Sequence, residues 1–85
     1  MIKAIPTGSS ARIDVIRAGD LRAGMKLLDS TYLAYGVVSE IRRIYEDGGR
    51  GGHYEYRLEG GNKFLTPSRL PLGCVVGIVT EITGM

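Results

Sequence analysis

Eighty-five residues of ordinary apolar content make one domain with one modest core; burial at this length reaches roughly 60–65% of the unfolded surface. A net charge of +2 excludes a strongly basic polycation, yet it permits a nucleic-acid partner. A single cysteine excludes an internal disulfide and favours a reducing, cytoplasmic setting, and no apolar run approaches the ~20 residues of a membrane helix, so no membrane contact is expected.

In chain order, Met1–Ile5 is a short apolar-basic segment able to form an edge strand, broken by Pro6-Thr7-Gly8-Ser9-Ser10. Residues 1–10 are expected as a loosely ordered arm, and residues 11–83 as a single β-barrel domain. Ala11–Ile16 alternates as a strand, with Ile13 and Val15 expected in the core and Arg12 and Asp14 solvated. In the following Arg17-Ala18-Gly19-Asp20-Leu21-Arg22-Ala23-Gly24-Met25, Asp20 can cap a single helical turn. Leu21 then plugs the core beneath it, and Gly24 takes a left-handed conformation that returns the chain. Met25–Leu28 reads as a strand closed by Asp29-Ser30-Thr31.

Tyr32–Tyr35 leads into a long strand over Val37–Tyr45, with Gly36 as a bulge or close-approach point. Its alternation is broken: Val37, Ile41 and Tyr45 share one parity, Val38 and Ile44 the other. A strand that bends and turns its two halves toward different surroundings accounts for this. Asp47-Gly48-Gly49-Arg50-Gly51-Gly52 forms a glycine-rich tip around one arginine. His53–Leu58 then alternates cleanly, Tyr54, Tyr56 and Leu58 against His53, Glu55 and Arg57. Glu59-Gly60-Gly61-Asn62 reads as a hairpin turn and Lys63–Thr66 as a short return strand. Pro67–Gly73 reads as a connector, because two prolines oppose regular pairing. Cys74–Ile82 is apolar on both parities through Val79, as in a strand buried on both sides or swapped between sheets.

Five or six short strands, one short helical turn and no amphipathic helix make the chain all-β, and closure into a small SH3-like barrel removes open sheet edges. The run Asp20-Leu21-Arg22-Ala23-Gly24-Met25-Lys26-Leu27, followed by a long strand and a glycine-basic-glycine tip, is similar to the N-terminal barrel of elongation factor P and its eukaryotic relatives. That resemblance implies a translation-related role and puts the family's modified loop position on Arg50; the proline usual before that basic residue is absent here. Small phage and actinobacterial accessory proteins have a similar look. The Asp-Leu-Arg-x-Gly opening also recurs in intein-like domains, but the nucleophile and paired histidines of self-splicing are not recognisable.

No constellation of catalytic residues stands out, so no enzyme, cofactor or metal is expected. His53 is the sole histidine and reads as a surface strand residue; Cys74 reads as a buried, inert thiol. The glycine tip lacks the Gly-Lys-Ser/Thr ending of a phosphate loop. The residues able to carry binding are Arg42, Arg43, Arg50, Arg57 and Lys63, basic groups interleaved with Tyr45, Tyr54, Tyr56 and Phe64 and diluted by nearby acids. Two functions follow. One is a non-catalytic module contacting nucleic acid or a ribonucleoprotein through this basic strand-loop surface. The other is a protein-interaction module, such as a phage-type accessory or inhibitor, or a homo-oligomer formed through an exposed strand edge.

Overall fold

A computed structural model describes residues 2–61 and 65–84. Its strands are β1 (Ile2–Ala4), β2 (Ser10–Arg17), β3 (Lys26–Leu28), β4 (Ala34–Glu46), β5 (Gly51–Leu58), β6 (Ser68–Pro71) and β7 (Val75–Thr83). They form an antiparallel sheet in the order β2-β7-β3-β4-β5-β6, with β1 also paired to β4. The all-β class is as the alternation predicts. The sheet does not close, however: β2 and β6 end the path without meeting, in place of the expected closed barrel.

Two of the seven strands lie in segments outside the expected barrel strands. Ile2–Ala4, in the segment read as a loose arm, pairs with Ala34–Gly36. Ser68–Pro71, read as a connector, pairs with Tyr56–His53. Prolines are tolerated there because β6 is an edge strand, where a missing N–H costs no ladder bond. Its four residues end at Pro71, which leaves little backbone with which to continue toward β2. Asn62, Lys63 and Phe64, and with them half of the expected return strand, lie outside the described residues, and Leu65 and Thr66 are not in a strand.

β4 is the axis of the molecule. Its 13 residues span roughly 44 Å at strand rise, most of the 51 Å long dimension. Gly36 pairs with both Ile2 and Leu27, so β1 and β3 lie on opposite edges of β4. The Val37 carbonyl accepts from the Glu59 N–H at 2.7 Å, while the Val38 N–H donates to the Met25 carbonyl at 2.9 Å. β5 therefore follows β1 along one edge, and β3 lies on the other. The register slips at Ser39, between Val38↔Leu58 and Glu40↔Arg57. This bulge is the physical cause of the broken alternation, and it falls at Ser39 instead of Gly36. Gly36 is the close-approach point instead: an added methyl would meet Leu58 Cδ1 at 2.5 Å.

The core sits where the two halves of the sheet meet. Leu21, Leu27, Val38 and Ile78 form its centre, with Ile16, Met25, Ile41, Tyr56, Leu58, Leu70 and Val76 packed around them. Leu21 is fully buried, as expected of the plug. It follows a 3₁₀ turn over Ala18–Asp20, so Asp20 ends that turn and does not cap its start. Gly24 does take a positive φ of 92°, and its N–H donates to the Val38 carbonyl at 2.8 Å.

β2 faces the opposite way from the expectation. Ile13 is 38% exposed and Val15 70% exposed, while Ile16 packs against the core. The strand carries apolar residues on both parities, and its neighbour decides between them. Ile16 pairs with Val76, on the β7 face that carries Ile78 inward; Val15 pairs with Gly77, on the outer face. β7 is buried on both faces only at its centre, where Ile78 and Val79 are both buried; at its start the outer face opens and Val75 is exposed. Tyr54 is half-buried, its hydroxyl lying against Gly19.

Leu21→Ala should therefore lower unfolding free energy by about 2–5 kcal/mol, whereas Val15→Ala should change it by less than about 0.5 kcal/mol. Chemical denaturation of both variants checks which face of β2 is the core.

Candidate functional site

Beyond Ser39, β4, β5 and β6 form a three-stranded arm with two distinct faces. The register places Glu40 opposite Arg57, Arg42 opposite Glu55, and Glu55 opposite Arg69. Alternation puts these groups, with Glu46 and His53, on one face. They pair with one another. Arg57 Nε lies 3.1 Å from Glu40, and Arg42 Nη2 lies 3.2 Å from Glu55. Arg69 Nε approaches Glu55 at 3.9 Å.

Glu55 is the hub of this face, its side chain only 13% exposed. His53 Nε2 lies 3.1 Å from it, and His53 Nδ1 lies 3.7 Å from Glu46. The hydrogen bond from His53, and then the hydrogen bond and charge of Arg42, hold the Glu55 carboxyl below its ordinary value of about 4.5, against the opposing effect of burial. His53 is therefore not the isolated surface residue expected. Its partner was in plain view two positions along the same strand face, and Glu46 reaches it across the hairpin.

Arg43 lies on the other face. Its guanidinium donates to the Ile44 carbonyl and, at 3.2 Å, to the Gly51 carbonyl. It stacks 4.4 Å from the Tyr45 ring centroid and 5.7 Å from that of Tyr54. Arg43, expected as a phosphate contact, thus clasps the base of the tip. Gly52 completes the clasp: its φ is 121°, and a side chain there would run into the Ile44 carbonyl. The tip itself is a turn in which Asp47, Gly48 and Gly49 all take positive φ, closed by the Arg50 N–H on the Asp47 carbonyl at 3.2 Å.

Of the five residues expected to bind, Arg42 and Arg57 are brought to one face but paired with Glu55 and Glu40. Arg43 is turned to the opposite face, and Lys63 lies outside the described residues. Arg50 stands exposed at the tip with no side-chain partner among the described residues. The basic surface is therefore largely neutralised from within. Cys74 is half-buried in the turn before β7, its carbonyl accepting from the Ala18 N–H at 2.9 Å.

A cleft of about 630 Å³ opens beside the arm, with Tyr56, Leu58, Leu65 and Pro67 along its walls and Glu40 and Arg57 at its rim. Among the described residues, no group of three histidine, cysteine or acidic side chains could hold a metal ion. No helix among the described residues is long and apolar enough to cross a membrane.

The depressed Glu55 carboxyl gives a pH dependence with a definite sign. Its contribution to stability is present above about pH 4.5 and is lost as pH falls through the lower folded value. Glu55→Gln should therefore be less stable than the wild type near neutrality, and the gap should narrow as the medium is acidified below the carboxylate range, as read by denaturation at a series of pH values. Arg43→Ala should cost about 1–2 kcal/mol through its lost carbonyl bonds and ring contacts, while Arg50→Ala should stay within about 0.5 kcal/mol; thermal melts distinguish the two.

Comparison of the chain with protein-family models, with curated proteins and with solved structures gives no match.

Proposed function

We propose that this chain is a small, non-catalytic protein-interaction module whose sheet takes up a further strand along β2. One observation carries this reading. β2 is a terminal strand of eight residues that pairs only with β7. Among the described residues, no other backbone hydrogen bond reaches its free edge. Natural edges are usually blunted by shortness, proline or lysine. β6 is blunted in this way: it is four residues long, ends on Pro71 and follows Pro67. β2 is eight residues long with neither proline nor lysine; Arg12, Asp14 and Arg17 are its charges, and it carries exposed Ile13 and Val15 beside exposed Val75. Main-chain bonds along such an edge supply affinity, and alternate side chains supply selectivity. A phage-type accessory or inhibitor protein suits this mode of binding. The half-buried free thiol of Cys74 suits a reducing, cytoplasmic setting.

A second reading, contact with nucleic acid or a ribonucleoprotein, is favoured by Arg50 alone. It is exposed on a projecting hairpin tip, and the resemblance to the SH3-like barrel of elongation factor P points to the same residue. The pairing of Arg42 and Arg57 with acids weighs against it, since phosphate contacts require cations that are free to exchange counterions.

Affinity capture from lysate separates the two. Proteins retained by the wild type, lost with Ile13→Lys/Val15→Lys, and unaffected by nuclease or by Arg50→Ala are the expected result. Retention that disappears with nuclease treatment and with Arg50→Ala would replace the first reading by the second.

A further inference from the structure

The free edge of β2 has a sequence that matches itself. Antiparallel pairing of two identical strands about a two-fold axis is defined by the residue that lies on that axis. With Ile13 on the axis, Ser10 lies opposite Ile16 of the second copy, Ala11 opposite Val15, and Arg12 opposite Asp14; the same three pairs recur on the other side of the axis. This register alone sets Arg12 against Asp14. An axis at Arg12 or at Asp14 opposes like charges, and an axis at Val15 sets Asp14 against Ile16 and Arg17 against Ile13. Opposite charges directly across a strand pair stabilise it, and like charges destabilise it.

In the structure these groups are accessible. Arg12 and Asp14 share a face, with Nε 3.7 Å from Oδ1, and both side chains are open, at 72% and 48% exposure. Ile13 and Val15 share the other face, next to Val75 across Gly77. β2 is continuous through this stretch: the register slip between Arg12 and Ile13 leaves the extra residue, Thr80, on β7. The hydroxyl of Thr80 donates to the Arg12 carbonyl at 3.4 Å. The free edge of β2 therefore runs without a bulge over the seven residues that would pair.

We propose that the occupant of the β2 edge is a second copy of this chain, paired antiparallel about Ile13, so that two sheets join into one with two symmetric Arg12–Asp14 contacts and an unbroken apolar strip of Ile13, Val15 and Ala11 on the opposite face. This rests on the strand-edge reading above and gives that edge its partner.

Analytical ultracentrifugation of the full chain tests it. The wild type is expected to show a concentration-dependent monomer–dimer equilibrium. Asp14→Arg sets arginine against arginine at both contacts, and Arg12→Asp sets acid against acid; each should weaken dimerisation at least about tenfold. An equimolar mixture of the two single variants should recover the dimer, and so should the double exchange Arg12→Asp/Asp14→Arg in one chain, because each restores opposite charges across the axis. Arg12 also lies opposite Glu81 on β7, so circular dichroism of Arg12→Asp confirms its fold, and Asp14→Arg, at a position opposite Ile78, gives the same readout without that neighbour. A wild type that stays monomeric from micromolar to submillimolar concentration overturns self-pairing; the strand-edge reading is then decided separately by the Ile13→Lys/Val15→Lys capture. A wild-type dimer that persists unchanged in both single variants overturns the proposed register and with it the proposal.

Discussion

One extra residue in β4, the bulge at Ser39, is the constraint on which the molecule's architecture depends. Side chains alternate along a strand, so a slip of one position exchanges the two faces. Before the bulge, Val38 points into the core; after it, Ile41 does, and Arg43 and Tyr45 continue on that side. Without the slip, Glu40 and Arg42 would face the apolar cluster around Leu21. The bulge thus lets a single strand serve both as a wall of the core and as the spine of an arm that reaches past it, and it does so while keeping β5 in register with β4 on both sides of the slip.

The arm is held by two different kinds of interaction on its two faces. On one face, carboxylates and guanidinium groups alternate across three strands with Glu55 at the crossing point, which gives a lattice of partly exposed pairs. Such pairs contribute little energy individually, but each is satisfied only in one register, so together they disfavour sliding of β5 against β4. On the other face, Arg43 ties two carbonyls and two tyrosine rings together near the tip. What reads along the sequence as a row of basic groups is in three dimensions mostly internal structure.

Much of the fold was legible in the sequence because alternation survives in a single chain. The strands around Ile13, Leu27, Ile41, Tyr56 and Ile78, the buried Leu21 and the left-handed Gly24 follow from local chemistry alone. What local chemistry does not specify is the neighbour. Ile13 and Val15 outnumber Ile16 on β2, yet the pairing of Ile16 with Val76 decides which side is inward. The prolines around β6 oppose a central strand but not an edge strand, and only the topology says which it is. The charge pairing of Arg42 with Glu55 and of Arg57 with Glu40 depends on a register set by the Ser39 slip, and no composition count reveals it. The open backbone edge of β2 was invisible for the same reason: openness is a property of what fails to arrive beside a strand.

The position of β7 has a consequence for the order in which the molecule assembles. β7 is the last strand in the chain and yet lies between β2 and β3, with Ser10 paired to Thr83 across almost the whole sequence. The β4–β5–β6 arm can form from neighbouring segments as soon as they leave the ribosome, since hairpins close quickly. β2 cannot, because the strand that joins it to the rest is made after everything else described here. Until then both of its edges are unpaired, and contacts of such long sequence separation form slowly. Synthesis therefore passes through an interval in which the arm is built and β2 waits as a bare apolar strand, the period in which the nascent chain is most open to chaperones.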